Sequence, residues 1–317
     1  MGSVMDLVDI ILEPKTPFHL GMKEHSVQET ATHIYSDTFF SAFCNVYRLI
    51  YGKNQLEHLL KQFQSNPPFL CSSIFPSIDG QRLYPAPKHI NFQTWTDKRE
   101  KRLKHIMYVS EHVFKLILEG KTMGINDDDI AQDGQVLTPG YNGLVWYLTE
   151  TPRVTIDRLH QGSTPYYFGE IIYPDQLHFL LNIIDKSFTA EIKTTLRVMG
   201  DEGLGGDRSA GKGLFSVQDI NTISFPTPST EWFITLSLVN PLKQNIGDLN
   251  GFFSIVDRGG WGYSVDDKNT RKNMIRMFTE GSVFNQQLTG RLVEVANSTH
   301  PFYRYGYSLM LPVKVKT

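Results

Sequence analysis

The sequence of 317 residues has only two cysteines, Cys44 and Cys71. Two thiols exclude a disulfide-stapled scaffold and a four-cysteine zinc site, so we expect both to be buried and free. No window holds the roughly 18 uninterrupted apolar residues of a membrane-spanning helix. The N-terminal region runs into Asp6 and Asp9 and has no basic stretch followed by a hydrophobic core, so no secretory signal is expected. We therefore expect a cytoplasmic protein without membrane contact.

An excess of positive charge is also missing, because 31 Lys and Arg face 33 Asp and Glu, for a net charge of −2. Such a chain has no global field that attracts a polyanion, so any nucleic-acid contact must come from local basic clusters. The apolar fraction of 40% and the charged fraction of 20% are ordinary for a folded protein. The length suits two domains, or one domain enlarged by insertions.

Apolar periodicity organises the first part of the chain. β-branched and aliphatic runs predict strands, and apolar positions one turn apart predict helices, with Ser36 and Ser187 as N-caps. The predicted elements are a strand Val4–Leu12, a helix from Asp37 to Gly52, a short strand Phe69–Phe75, a helix from Ser187 to Gly200 and a strand from Leu214.

Residues 81–152 have a character of their own and are interpreted as an insertion. Their pattern predicts a helix over Lys98–Leu118 and a hairpin over Val136–Leu148, where Pro139-Gly140 and Asn142-Gly143 are turn signals. Strands over Arg153–Leu159 and Tyr166–Tyr173 follow. The basic cluster between Lys98 and Lys104 is diluted by acidic neighbours, and a solvated face is its commoner explanation.

A second unit begins after Pro226 and Pro228. Side chains alternate between apolar and polar from Trp232 to Leu238 and again from Leu309 to Val315, and a helix is predicted over Arg271–Phe278. Strands and helices in these orders predict an α+β protein made of two ferredoxin-like (RRM-like) modules. The predicted domains are 1–224, with the insertion at about 81–152, and 225–317.

The segment Gly203–Gly213 has five glycines in eleven residues. Glycines permit positive φ angles and let successive amides face one concavity that binds phosphate, while Arg208, Lys212 and Ser209 add charge and donors. A P-loop is the rival interpretation, but Gly213 replaces the required Ser or Thr, and the loop joins a helix to a strand. A flexible surface loop is the plain alternative.

Four motifs in order, Tyr35-Ser-Asp-Thr38, the run Gly200–Gly213, Gly259-Gly-Trp261 and Tyr303-Arg-Tyr-Gly306, resemble the RAMP superfamily of CRISPR proteins. Within it, the chain looks like the fourth Csm subunit of type III-A effector complexes, of the Cas-five group. The resemblance spans nearly the whole chain, and Lys212 departs from the residues of many relatives.

The resemblance implies a non-catalytic RNA-binding subunit that holds the 5′ handle of crRNA without a cofactor or metal. It also implies a bridge between the large polymerase-like subunit and the backbone subunits, with the insertion as a thumb at the guide–target duplex. The candidate RNA-binding residues, from the loop and from scattered basic and aromatic positions, are His19, Lys23, Arg153, Arg158, Gly203, Gly205, Gly206, Asp207, Arg208, Ser209, Gly211, Lys212, Gly213, Tyr303 and Arg304.

Two other functions stay open from the sequence. One is a metal-independent endoribonuclease that processes crRNA precursors with His19 or His25 as proton carrier. The other is a scaffold that binds only proteins. Ser36 and Asp37 open the first helix, and a helix cap explains both without a catalytic role.

Overall fold

A computed structural model describes residues 3–23, 26–96, 101–141, 143–156, 163–264, 267 and 270–315. Four α-helices lie in these ranges, namely α1 (Ser36–Tyr51), α2 (Lys53–Ser65), α3 (Glu111–Leu118) and α4 (Thr189–Glu202). The strands up to α4 are β1 (Val4–Pro14), β2 (Gly21–Lys23), β3 (Ser26–Thr30), β4 (Phe69–Cys71), β5 (Phe75–Ile78), β6 (Gln81–Pro85), β7 (Tyr108–Ser110), β8 (Ile130–Ala131), β9 (Val136–Leu137), β10 (Tyr147–Ile156), β11 (Ser163–Ile172) and β12 (Leu177–Ile183). The strands after α4 are β13 (Phe215–Pro226), β14 (Phe233–Thr235), β15 (Gly251–Phe252), β16 (Ile255–Arg258), β17 (Ile275–Phe278), β18 (Val283–Phe284), β19 (Gly290–Asn297), β20 (Pro301–Tyr307) and β21 (Met310–Pro312).

A large mixed sheet in the order β13-β1-β12-β5-β6-β7-β9-β8, with β4 also paired to β12, forms the centre of the molecule. Strand β1, next to the edge strand β13, is antiparallel to both neighbours, and Ile10 lies opposite Phe179 and Ile220. Helices α1 and α4 contact each other and bury the apolar faces that the sequence predicts, including Phe39 and Met199. The predicted α+β class is confirmed.

The segment predicted as an insertion does not form the predicted hairpin. Val136 and Leu137 pair with β7 and β8 inside the large sheet, whereas β10 pairs with β11 over ten residues from Tyr147↔Ile172 to Ile156↔Ser163. The turn signals bend the chain, but burial of Val136 and Leu137 draws that segment into the sheet. We call β10 and β11 together the ribbon.

The helix predicted over Lys98–Leu118 is only partly correct. Residues 97–100 lie outside the described residues, Lys101–His105 forms a 3₁₀ turn, and the α-helix begins after strand β7, at Glu111. Tyr108 and Val109 are buried in the sheet, and this pairing overrides the helical spacing of the sequence. The boundaries at 81–152 and at 224 stay predictions.

The second unit consists of small sheets and hairpins. Its described residues, 225–264, 267 and 270–315, contain no α-helix, so the helix predicted over Arg271–Phe278 is wrong and the two-helix pattern of a ferredoxin-like module is not met there. Ile275–Phe278 instead pairs with Ile255–Arg258, and buried Met277 alternates with exposed Arg276. In the described ranges, none of the helices has the length and apolarity needed to cross a membrane.

Candidate nucleic-acid interface

The glycine loop, Gly203–Gly213, follows α4 and packs against residues 17–20. Gly213 has φ +73°, and a Cβ there would lie 2.0 Å from the carbonyl oxygen of Leu204. A Cβ on Gly205, at φ +97°, would lie 2.6 Å from the carbonyl oxygen of His19. The main role of Gly205 and Gly213 is therefore to allow close backbone contact within the protein.

Several loop amides already donate hydrogen bonds inside the protein. The amide of Leu204 donates to Gly213 O, that of Gly206 to His19 O, and that of Gly213 to Pro17 O. By contrast, the amides of Arg208 and Ser209, at the start of the 3₁₀ turn Arg208–Ala210, donate no hydrogen bond to any residue that the structure describes. The loop thus offers few amides to a ligand, in contrast to the continuous phosphate nest suggested by the sequence.

Two ion pairs join the glycine loop to the ribbon. Arg153 Nη2 lies 2.5 Å from Asp207 Oδ2, with its guanidinium 4.2 Å from the ring centroid of Phe168. Lys212 Nζ lies 2.7 Å from the carboxylate of buried Glu170. The structure thus brings three predicted site residues together, but their charges are paired within the protein.

His19 belongs to the same contact. Its Nδ1 donates to the carbonyl oxygen of Gly169 at 2.7 Å, and its ring lies 4.2 Å from that of Phe168. The side chain is only 8% exposed. His19 therefore fixes the ribbon against the loop.

Two arginines of the second unit, Arg258 and Arg304, line the cleft opposite the loop and share the carboxylate of Asp37 on α1. Arg258 binds the carboxylate of Asp37 through Nε at 3.0 Å and Nη2 at 2.9 Å, and Arg304 Nη1 binds the same carboxylate. Burial alone would raise the pKa of Asp37, but the two guanidinium charges hold it well below its usual range. One carboxylate between two arginines leaves a net positive charge.

Neither Ser36 nor Asp37 caps α1. The N-cap is Tyr35, and Ser36 Oγ instead accepts a hydrogen bond from the amide of Leu238 at 3.1 Å. The cap prediction is wrong because both polar side chains form contacts with the second unit, more than 200 positions away in sequence.

A cleft of about 260 Å³ lies between the glycine loop, residues 19–21, the first turns of α1 and residues 258–263. Among the described residues that line it, four are Arg or Lys and one, Asp37, is acidic. Burial, followed by the charge of Arg304, lowers the pKa of Lys272 to about 8. The cationic residues are Arg208, Arg258, Lys272 and Arg304.

Exposed aromatic rings stand beside these cations. Trp261 is 59% exposed and Tyr263 is 49% exposed, and the guanidinium of Arg208 lies 5.1 Å from the Tyr263 ring centroid. Cations that contact phosphates and rings that stack on bases are the usual means of binding a single strand. The cleft can therefore hold a short length of polynucleotide.

The remaining predicted residues lie in different places. Ser209 is exposed and Gly211 borders open space. Tyr303 accepts a hydrogen bond from Gln64 Nε2 at 2.9 Å and does not line the cleft. Lys23 lies on β2, with its side chain outside the described residues, and Arg158 and His25 lie wholly outside them.

The sequence did not single out Arg258, Lys272 or Tyr263 as candidates. Arg258 directly precedes the Gly259-Gly-Trp261 turn, and this motif is the signal that could have indicated it. Lys272 had no distinguishing signal, because it lies within a segment interpreted as a helix.

Comparison with known proteins supports the resemblance. Residues 228–313 match the family described as the CRISPR Csm4 C-terminal domain. The chain is 25% identical to the CRISPR system Cms protein Csm4 of Thermococcus onnurineus, over 88% of this chain and 91% of that protein. It is 24% identical to the protein of that name from Methanocaldococcus jannaschii, over 97% of this chain and 98% of that protein.

Two solved structures have a similar fold. A chain of the Csm3–Csm4 subcomplex in the type III-A CRISPR-Cas interference complex matches with a TM-score of 0.67 and 19% identity, over 98% of this chain and 100% of that one. A chain of the Csm1–Csm4 cassette in complex with cA4 matches with a TM-score of 0.64 and 21% identity, over 99% and 100%.

Proposed function

We propose that this chain, a Csm4-type CRISPR RAMP protein, is a non-catalytic RNA-binding subunit of a type III-A effector complex. It holds the 5′ handle of crRNA in the cleft and bridges the large polymerase-like subunit to the backbone subunits. The single observation that carries the RNA proposal is the cleft itself, where four cations and one carboxylate lie beside two exposed aromatic rings. The proposal places the protein in the cytoplasm.

The charge of the cleft supports RNA binding despite the net charge of −2 of the whole chain. Asp37 is already shared by Arg258 and Arg304, so the positive charge of Arg208 and Lys272 is available for phosphates. A local excess of cations attracts a polyanion over about a Debye length, roughly 8–10 Å in physiological salt.

The bridging proposal takes its support from the similar chains. Solved structures with this fold come from a Csm1–Csm4 cassette and from a Csm3–Csm4 subcomplex. We propose that this chain contacts the corresponding large subunit and backbone subunit of its own complex.

We interpret the order β13-β1-β12-β4, with α1 and α4 as crossovers, as one ferredoxin-like module. Within this interpretation the ribbon corresponds to the thumb at the guide–target duplex. Its outer face carries exposed Leu148, Val154 and Tyr167, which suit contact with unstacked bases.

The placement of His19 supports the proposal that the chain is not catalytic. This side chain is buried, and its Nδ1 donates to Gly169 O, so it is poorly placed to carry a proton to and from RNA. Repeat RNA incubated with the purified chain without metal should stay intact. Specific cleavage would instead favour the endoribonuclease.

Reconstitution tests the proposed function. The chain is assembled with the Csm1-type and Csm3-type proteins of its own system and crRNA, and retained crRNA is measured after size-exclusion chromatography. Arg208→Glu should lose most of the crRNA, because it reverses a charge in the cleft. Arg276→Glu is the control, since Arg276 is exposed and does not line the cleft. Equal retention by both variants would remove the cleft from the proposal.

A further inference from the structure

A second cavity, here called the α1–α2 groove, adjoins the cleft. It encloses about 270 Å³ between α1, α2 and the start of β20, and its lining includes Leu56, Leu60 and Phe302. Small-molecule pockets hold roughly 300–1,000 Å³, so the groove suits one flat group rather than a folded segment.

The groove and the cleft share part of their lining. Ser41, Asn45 and Tyr263 line both cavities. A strand that lies in the cleft therefore reaches the mouth of the groove next to Tyr263, whose ring is 49% exposed.

The charges at the groove favour an anion at its edge. Arg48, Lys53 and Lys61 line it, together with one acidic residue, Glu57. Lys53 and Lys61 are exposed on α2, so their ammonium groups can contact a phosphate and remain hydrated. An apolar floor with a cationic edge is complementary to a nucleotide, which joins a flat base to an anionic phosphate.

Polar groups at the groove can read the edge of a base. Asn45 Nδ2 donates to Ser41 O at 2.8 Å, which leaves Asn45 Oδ1 to accept from an exocyclic amine. Tyr303 lines the same groove and is held by Gln64 Nε2 at 2.9 Å. Tyr263 and Tyr303 therefore supply rings for stacking, and Asn45 supplies a directional acceptor.

We infer that the α1–α2 groove binds one unstacked base of the RNA strand whose phosphates the cleft holds. The inference rests on the proposed function and adds a base-binding site to it. It gives Tyr303 a contact with RNA outside the cleft, in a cavity lined by α1 and α2.

Photo-crosslinking tests the inference in the assembled complex. Handle RNA carries 4-thiouridine at one position at a time, and crosslinked peptides are identified by mass spectrometry. One position should crosslink to residues 300–303, while its neighbours crosslink to residues 258–263. Leu56→Trp, which fills the groove, should lower the crosslink at 300–303 by about fivefold or more.

Leu49→Trp is the matched control, because Leu49 is 55% exposed on α1 and does not line the groove. It should leave the crosslink unchanged. If Leu56→Trp does not fold, the exposed pair Lys53→Glu and Lys61→Glu should lower the same crosslink.

The outcomes separate the two proposals. Crosslinks confined to the cleft would overturn the groove and leave the proposed function standing. The absence of crosslinks at both places would overturn both. Protection of the groove from hydrogen exchange by a Csm-type partner without RNA would identify a protein-binding site and overturn the inference.

Discussion

The two walls of the cleft are built in different ways. The glycine loop is shaped by backbone contacts, and of its charged residues Asp207 and Lys212 are paired with the ribbon while Arg208 lines the cleft. The opposite wall, around Arg258 and Arg304, is buried and organised by side-chain charge. The loop therefore chiefly supplies shape, and the second unit supplies most of the positive charge of the cleft.

Removing the carboxylate of Asp37, which Arg258 and Arg304 share, should have the largest effect on stability. Asp37→Ala leaves Arg258 and Arg304 buried without their counter-charge, so it should lower the free energy of unfolding by about 3–5 kcal/mol. Thermal and denaturant unfolding measure the loss. A loss of unfolding free energy below about 1 kcal/mol would contradict the claim that side-chain charge organises the wall around Arg258 and Arg304.

Within the glycine loop, stability should be most sensitive to substitution of Gly213. Gly213→Ala combines a positive φ with a Cβ only 2.0 Å from a carbonyl oxygen, so it should cost about 2–4 kcal/mol. Gly211→Ala is the control, because its φ of +75° is similar but its Cβ meets open space, and it should cost about 1 kcal/mol. Equal losses in unfolding free energy would contradict close packing as the role of Gly213.

The buried carboxyl group of Glu280 makes a smaller, pH-dependent contribution to stability. Burial raises the pKa of Glu280 to about 7, although Ser73 donates a hydrogen bond to it. The folded state therefore holds this proton more tightly, and the contribution of Glu280 to stability falls as pH rises from about 4.5 to 7.

Glu280→Gln should remove this dependence. His33, whose pKa burial lowers to about 4, titrates with the opposite sign, so the wild-type profile alone does not isolate Glu280. The difference in unfolding free energy between variant and wild type should change by about 1–3 kcal/mol in favour of the variant between pH 4.5 and 7.5. A difference that is constant with pH would contradict the raised pKa.

Local patterns were sufficient to predict the two long helices of the first unit, α1 and α4. Helices α1 and α4 keep an apolar face over three turns or more, so Phe39, Val46 and Met199 identified their buried sides. The strand Ile275–Phe278 was missed because short apolar runs satisfy both helical and extended patterns, and its pairing with residues 255–258 decided the outcome.

The site was harder to predict than the fold because its charges pair across long sequence distances. Asp37 and Arg304 are 267 positions apart, and Asp37 and Arg258 are 221 apart. The sequence located the glycine loop, but nothing local to Lys212 indicated that Glu170 would neutralise it. Of the four cations in the cleft, Arg208 and Arg304 were candidates from the sequence, whereas Arg258 and Lys272 were not distinguished by it.

The salt dependence of RNA binding tests the central claim most directly. Each phosphate contact to a single strand contributes about 0.7 to the slope of log affinity against log salt concentration. For handle RNA and the assembled complex, Arg208→Ala and Lys272→Ala should each lower the slope by about 0.7 and together by about 1.4, while the control Arg276→Ala should leave it unchanged. A double variant with the wild-type slope would contradict a cleft in which both walls hold the RNA backbone.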